Sequence, residues 1–465
     1  MKKKGWVAAG VIALISVAIL MIAFFSGQPE KQVSDGKPEG VNANYDLDIE
    51  MEEDGLFTVS SLIEVTNDSE DAWEEIGFYL VPNAMNAVET HSYRDRQAEV
   101  ELFDVLIGGE PADFTLENNE LMIQLPTELE TGGAVEVTVD YSLKVPEDGM
   151  RLAQVDDNFY LAHWYPMLGV YDNGWDIEDY DPKGESYDTG YGNFSVSFEL
   201  LEEYLVASSA DDGAIEAAAS GELAGDNLKD FYIAFMDPED WQTGTAQAGD
   251  TDLRVFMPTD ADLLEETIAL AEETYSYFEK EIGDNPFDEL DIIANDGYME
   301  YPNVIEVATE QEAMEPILIH EIAHQWFYFL VTNDPFEDAW LDESLAEFLT
   351  ALFISERNGD TDSGFWDASL SQASHPPEKY VNLPLDEFEE AAYYSTVYGK
   401  GPLMLKEFFD ANGGRENALE FLSDYYAAFQ FKRVDSEDFT TFFEDYFDGD
   451  QSEFLDSWIE PADAP

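Results

Sequence analysis

Between residues 44 and 245 apolar residues alternate with polar ones in run after run. Phe57, Val59, Ser61, Ile63 and Val65 fall on one face of an extended chain. Val135, Val137, Val139, Tyr141, Leu143 and Val145 do the same, and so do Phe194, Val196, Phe198 and Leu200. Successive side chains of a strand point to opposite faces, so a period of two buries one face of each segment and leaves the other in water. Gly132-Gly133 and Asp211-Asp212-Gly213 supply turns between such runs. The pattern predicts an antiparallel β-sandwich over residues 44–245.

The period changes after residue 245. Leu253, Val255 and Met257 form a short strand stopped by Pro258. Leu264, Ile268, Ala271 and Tyr275 then recur at helical spacing, with Asp260 as a capping residue before them and Gly283 just past the end. Leu290, Ile292 and Ile293 read as another strand, and from Glu312 onward most apolar spacing is helical. The expected class is therefore multidomain: the β-sandwich, then one α+β domain over residues 246–465 with a small sheet first and helices after.

The N-terminus has a different character. Lys2, Lys3 and Lys4 precede an uncharged apolar stretch over residues 5–25. As a helix this stretch spans about 30 Å, the thickness of a bilayer core. It is longer than a cleavable signal's apolar region and lacks a clear cleavage site, which favours a single-pass anchor. Residues 1–4 would then stay cytoplasmic and the bulk of the chain would lie outside the cell. Signal cleavage and secretion is the alternative. Residues 26–43, rich in Gly, Pro, Ser and charge, read as a flexible linker.

Composition narrows the partners. Asp and Glu number 103 against 20 Lys and Arg, a net charge of -83. Such a surface repels nucleic acid and anionic lipid. The acid is spread over the whole chain, which predicts an acidic, halophilic-type surface whose self-repulsion salt screens. Hydrophobic residues still make up 45%, enough for real cores. Cysteine is absent, so disulfides, thiolate ligands and a cysteine nucleophile are excluded, and any metal must be held by His, Asp or Glu.

Residues 316–327 contain H-E-x-x-H: His320, Glu321 and His324. Pro316 suits the first turn of a helix, and no Gly or Pro interrupts the residues after it. Residues four apart on a helix share a face, so both imidazoles can converge on one ion. Glu321 projects about 100° away around the helix and can reach a water without ligating the metal. The chain holds only five histidines, the others being His91, His163 and His375, which gives the motif weight. A hydrolytic zinc site needs a third protein ligand. Asp338, Asp342, Glu343 and Glu347 all compete for that place. The helix is expected to end near Asn333-Asp334-Pro335 and a second helix to return antiparallel, with Glu343 in its first turn.

His-Glu-x-x-His, eighteen residues, and then Glu343 within Trp340-Leu341-Asp342-Glu343-Ser344-Leu345-Ala346 resembles the aminopeptidase N family of gluzincin zinc metallopeptidases, which includes leukotriene hydrolase-type enzymes. Gly297-Tyr298-Met299-Glu300-Tyr301 resembles that family's G-x-M-E-N segment, and Tyr398-Gly399-Lys400-Gly401 its Y-x-K-G segment. Trp164-Tyr165-Pro166 and Asp230-Phe231 extend the likeness upstream. The resemblance implies a thermolysin-like catalytic domain and one Zn2+ held by His320, His324 and Glu343, with Glu321 as general base. It further implies that Glu300 binds the α-amine of a peptide, with Gly297 and Met299 beside it, and that Tyr398 hydrogen-bonds the tetrahedral intermediate. Glu347 is a candidate partner for a ligand imidazole, and Lys400 is expected to be structural. Residues 301–309 are expected to form an edge strand that pairs with an extended peptide.

Two departures stand out. Tyr301 replaces the family's Asn, and the second amine-binding residue of the family has no match in this sequence. With the chain ending near Trp458-Ile459, a more open cleft is expected. The expected activity is removal of N-terminal residues from peptides. The alternatives are an endopeptidase using the same zinc site and a non-catalytic surface binding protein.

Overall fold

The computed structural model describes residues 42–461, apart from residues 54, 86–97, 148, 150, 176 and 448. The apolar stretch over residues 5–25, the linker up to residue 41 and His91 lie outside the described residues. Among those described, no helix is long and apolar enough to cross a membrane.

The alternating segments form strands of two sheets. Leu56–Thr66 lies between Ala43–Glu53 and Ala134–Lys144, antiparallel to both, with Val59 opposite Tyr141 and Ile63 opposite Val137. All four of those side chains are fully buried. Trp73–Tyr79, Phe114–Glu117, Glu120–Leu129 and Met167–Leu168 make the second sheet. Ile76, Phe78, Leu121 and Ile123 of that sheet share one apolar core with Ile63, Val65, Val137 and Val139 of the first. The sandwich is not purely antiparallel. Ala43–Glu53 runs parallel to Gly192–Ser208, with Tyr45 opposite Phe194 and Leu47 opposite Val196. A parallel pair needs a long crossover, and here the whole second sheet is threaded between the two strands. Periodicity reports which face of a strand is buried and says nothing of its direction.

The C-terminal half is built on a five-stranded sheet. Its order is Trp241–Ala248, Thr251–Pro258, Glu289–Ala294, Val304–Val307 and Met299–Tyr301. The first strand straddles the expected junction at 245/246 and pairs antiparallel with the second. The three central strands are parallel, and Met299–Tyr301 closes the edge antiparallel. The free edge is therefore residues 299–301, while residues 304–307 are paired on both sides. The helix Leu264–Glu281 buries Leu270, Ala271, Tyr275 and Phe278 against this half. Its cap is Leu263 with no side-chain bond, and Asp260 stays in the preceding turn.

The histidine helix spans Gln311–Ala323, so Pro316 lies inside it and not in its first turn. It also stops at His324, well before Asn333. The residues from Trp326 to Leu330 are fully buried. A run apolar on every side has no period, so sequence cannot separate helix from buried turn there. Val331–Asn333 then pairs in parallel with Lys432–Val434. The returning helix spans Trp340–Asn358 and ends on Gly359 at φ 75°, a left-handed cap that glycine takes without strain. Trp340 is clamped by the rings of Phe439 and Trp458, 4.8 and 5.3 Å away.

Candidate metal centre and substrate cleft

His320 and His324 stand one turn apart, and their rings lie 4.6 Å apart and nearly perpendicular. Glu343 sits in the first turn of the returning helix. Its Oε2 is 3.2 Å from His320 Nε2 and 3.3 Å from His324 Nε2, and the two Nε2 atoms are 3.0 Å apart. Ligand atoms about 2.0–2.1 Å from a tetrahedral zinc are about 3.3–3.4 Å from one another, so this triangle has the size that ion requires.

The far sides of both rings are held. His324 Nδ1 donates to the Phe327 carbonyl at 3.0 Å. His320 Nδ1 faces Glu347 Oε2 at 3.3 Å. With the proton on Nδ1, each Nε2 presents a lone pair to the centre of the triangle. Two lone pairs and a carboxylate aimed at one point call for a cation between them. Electrostatics agree. Burial works to raise the Glu343 carboxyl, but His324 and His320 outweigh it and hold it well below the usual carboxylate range. Burial works to lower His320, but Glu343 and Glu347 raise it well above an ordinary imidazole. A field that favours a proton here also favours a divalent ion.

The competing acids are engaged elsewhere. Asp338 bonds to Ser436. Asp342 accepts from Asn333 Nδ2 at 3.1 Å and from the Glu343 amide at 2.7 Å. Glu347 touches the opposite edge of the His320 ring. Only Glu343 of the four faces both Nε2 atoms.

Glu321 is buried beside the triangle, and its Oε2 has no hydrogen-bond partner. Burial pushes its carboxyl up to about 7, even with both imidazoles opposing. Glu300 comes from the edge strand. It is buried, and its Oε1 is likewise unpartnered. Burial raises its carboxyl well above the ordinary range, and the charges of Glu185 and Glu343 add to the rise. Gly297 lets the chain close over the next strand: a Cβ there would lie 2.3 Å from Glu306 Oε2. Met299 lines the cleft. Tyr301, which stands where Asn was expected, stacks on Tyr232 at 4.4 Å in the core and does not line the cleft.

Tyr398 lies on a π-helical turn, Tyr394–Lys400, a rare winding that often marks functional positions. Its ring is 5.8 Å from that of His320. Burial raises its phenol, and the nearby Glu343 carboxylate adds to the rise. Gly401 allows this turn to reach the returning helix, since a Cβ there would lie 2.1 Å from Ser344 Oγ. Ser344 Oγ in turn donates to the Val397 carbonyl at 2.5 Å. Lys400 bonds to the Glu378 and Lys379 carbonyls.

A cleft of about 490 Å³ opens over these groups. Sequence reasoning missed two of its lining residues, Glu185 and Arg151. Arg151 Nη2 donates to Glu185 Oε1 at 2.7 Å, and both are buried. Carboxylate oxygens of Glu185, Glu300 and Glu343 lie within 4.8 Å of one another. Nothing distinguishes Glu185 from its acidic neighbours in sequence. Arg151 had one signal, its scarcity: it is among only 20 basic residues. His163 is buried 3.4 Å from Asp230 and packs on Tyr187, away from the cleft lining. His375 is exposed at the end of the helix Trp366–Ser374.

Residues 291–458 match the peptidase family M1 domain. The chain is 30% identical over 161 residues to a leucyl aminopeptidase of Saccharolobus solfataricus, a stretch that covers 32% of this chain and 20% of that protein. The matched stretch is thus about a fifth of that relative's length. In structure the likeness is longer. An M1 zinc metallopeptidase from Deinococcus radiodurans superposes with a TM-score of 0.63 at 15% identity, covering 93% of this chain and 97% of that one. Leukotriene A4 hydrolase from Saccharomyces cerevisiae gives 0.64 at 17% identity, covering 96% and 72%. The two-part fold of this chain is that of those structures, and its residues 291–458 are similar to the peptidase family M1 domain.

Proposed function

We propose that this protein is a zinc-dependent peptidase that removes residues from the free N-terminus of peptides, working outside the membrane that its N-terminal segment anchors it to. The observation that carries the reading is the triangle of His320 Nε2, His324 Nε2 and Glu343 Oε2, beside an unpartnered, buried Glu321. One Zn2+ held there would act as a Lewis acid, polarising the scissile carbonyl and activating water.

The chain's own groups do the rest. Glu321 takes the proton of the attacking water and passes it to the leaving amine. The Tyr398 phenol donates to the oxyanion that develops on the substrate. Glu300 Oε1, unpartnered and buried, faces the cleft with Glu185 close by. An ammonium set between Glu300 and the Arg151-paired Glu185 makes charge-assisted bonds that neutral groups cannot. A substrate lacking that ammonium leaves the buried Glu300 Oε1 without a partner. The geometry therefore favours free N-termini. The edge strand Met299–Tyr301 offers backbone groups to an extended peptide. A peptide ligand suits the likeness to the Deinococcus enzyme, a mutant of which has been solved with a Tyr-Ser-Ala substrate bound.

The test is hydrolysis of paired peptides with free and acetylated N-termini, with metal content measured in parallel. Cleavage of free peptides only, abolished by chelation and restored by zinc, is the expected result. Equal cleavage of blocked peptides would replace this reading with an endopeptidase. Absence of hydrolysis in zinc-loaded protein would leave a binding protein. Placement outside the cell is tested separately, by protease accessibility in intact cells.

A further inference from the structure

We infer that Tyr328 and Lys229 are positioning residues for the metal: a cation from the β-rich half clamps a strained tyrosine whose backbone aims His324. This inference rests on the zinc-site reading above. Tyr328 has φ 141°, whereas every other non-glycine residue with positive φ among the described residues lies between 51° and 62°. That wider region is one that only glycine enters without steric cost. A side chain stays there when its surroundings over-determine it.

The surroundings of Tyr328 do so. The side chain is fully buried. Lys229 Nζ sits 4.5 Å from the centre of its ring, and the Tyr187 hydroxyl lies 3.3 Å from its own. Lys229 is itself buried and donates to Thr332 Oγ1 at 2.8 Å, just past the turn that holds Tyr328. A desolvated ammonium over an aromatic face is a strong contact. Both Lys229 and Tyr187 belong to the β-rich half, so that half grips the turn from outside the catalytic sheet.

The turn matters because of its neighbours. The Phe327 carbonyl accepts from His324 Nδ1 at 3.0 Å, and the Phe329 amide donates to the His324 carbonyl at 3.1 Å. Residues on either side of Tyr328 thus both bond to His324. The unusual backbone at Tyr328 is what lets them do so together, and the Tyr328 ring meets the His324 ring edge to face at 6.2 Å. Holding Nδ1–H on a fixed carbonyl sets the tautomer and leaves the Nε2 lone pair on the metal. Groups that orient a ligand imidazole in this way typically carry about 10–100-fold in metal affinity.

The experiment measures zinc affinity of the full chain by competition with a chromophoric chelator. It also records the visible spectrum of the cobalt-substituted protein and the melting temperature of each metal-free variant. Tyr328→Ala removes the clamp and leaves the backbone strain in place. Lys229→Met keeps the bulk of the clamp and removes its charge. Tyr328→Phe keeps the ring and its cation. Both Tyr328→Ala and Lys229→Met are expected to raise the zinc dissociation constant by about 10–100-fold and to shift the cobalt spectrum, while Tyr328→Phe stays near wild type. Wild-type zinc affinity in Lys229→Met overturns the inference, and that variant decides alone if Tyr328→Ala does not fold. Weakening of all three variants in proportion to lost melting temperature, with an unchanged cobalt spectrum, also overturns it, because that pattern is general destabilisation. A wild-type chain that binds no zinc sinks the zinc-site reading and this inference with it, whereas wild-type binding with unaltered variants sinks this inference alone.

Discussion

At the scale of residues, the site separates ligation from proton transfer by direction alone. His320 and His324 share a face, and Glu321 leaves the helix between them, close enough to reach the same cleft but not to join the triangle. Glu321→Gln keeps the size of the side chain and removes its basicity. It is expected to lower kcat by about 10²–10⁴-fold with zinc content unchanged, as steady-state kinetics and metal analysis would show. Hydrolysis at the wild-type rate would rule Glu321 out as the base. Glu347 touches His320 Nδ1 and has no other role in the cleft chemistry. Glu347→Gln is expected to weaken zinc binding by about 10–100-fold. An unaltered affinity would reduce Glu347 to one more acid on an exposed helix face. Glu300→Gln should raise KM for free peptides far more than it changes kcat. Equal loss in both would place Glu300 in the chemical step.

At the scale of elements, the returning helix carries Glu343, and its start is fixed from the far end of the chain. Trp340 packs against Trp458, both fully buried, and its indole donates to Ser436 Oγ at 2.8 Å. Trp458→Ala would open a large cavity beside the first turn of that helix. The expected cost is about 3–5 kcal/mol, read by urea denaturation, together with a fall in zinc occupancy. Stability loss with full zinc occupancy would show that the helix start holds itself. This dependence was not legible in the sequence, where Trp458 is one apolar residue among many. The helices themselves were legible, since apolar spacing marks them and Gly283 marks the end of one. Their limits were not: Pro316 proved internal, and the fully apolar run Trp326–Leu330 hid the end of the histidine helix.

At the scale of the whole molecule, charge dominates. A net charge of -83 repels itself, and raising salt from about 0.1 M to about 1 M shortens the screening length from about 10 Å to about 3 Å. The melting temperature should therefore rise with salt, and a flat response would contradict the surface-charge argument. A second dependence is buried at the junction of the two halves. Arg254 Nε lies 2.8 Å from Asp291, Nη1 3.0 Å from Glu289 and Nη2 3.5 Å from Asp212. One guanidinium faces three carboxylates. Burial is the main cause that raises Glu289 to about 7 and Asp212 to about 6. Folded values above the unfolded ones mean that these groups favour folding most at low pH and lose that contribution as pH rises through about 6 to 7. At fixed high salt, the melting temperature should fall between pH 5 and pH 8. A flat response over that interval would show that the cluster stays ionised throughout.

What the sequence determined by itself is whatever rests on near neighbours. Two histidines four residues apart on a helix must share a face, and an alternating strand must bury one side, because backbone geometry alone dictates both. Glu343 was singled out from Asp338, Asp342 and Glu347 in sequence only through its resemblance to a family motif, while the parallel pairing of Ala43–Glu53 with Gly192–Ser208 and the arrival of Glu185 beside Glu300 were decided only by tertiary structure. Each of these brings together residues far apart in the chain, and in a protein with 103 acidic residues composition cannot say which carboxylate is buried. Only the packing that removes a carboxylate from water separates a ligand from a solvated surface charge.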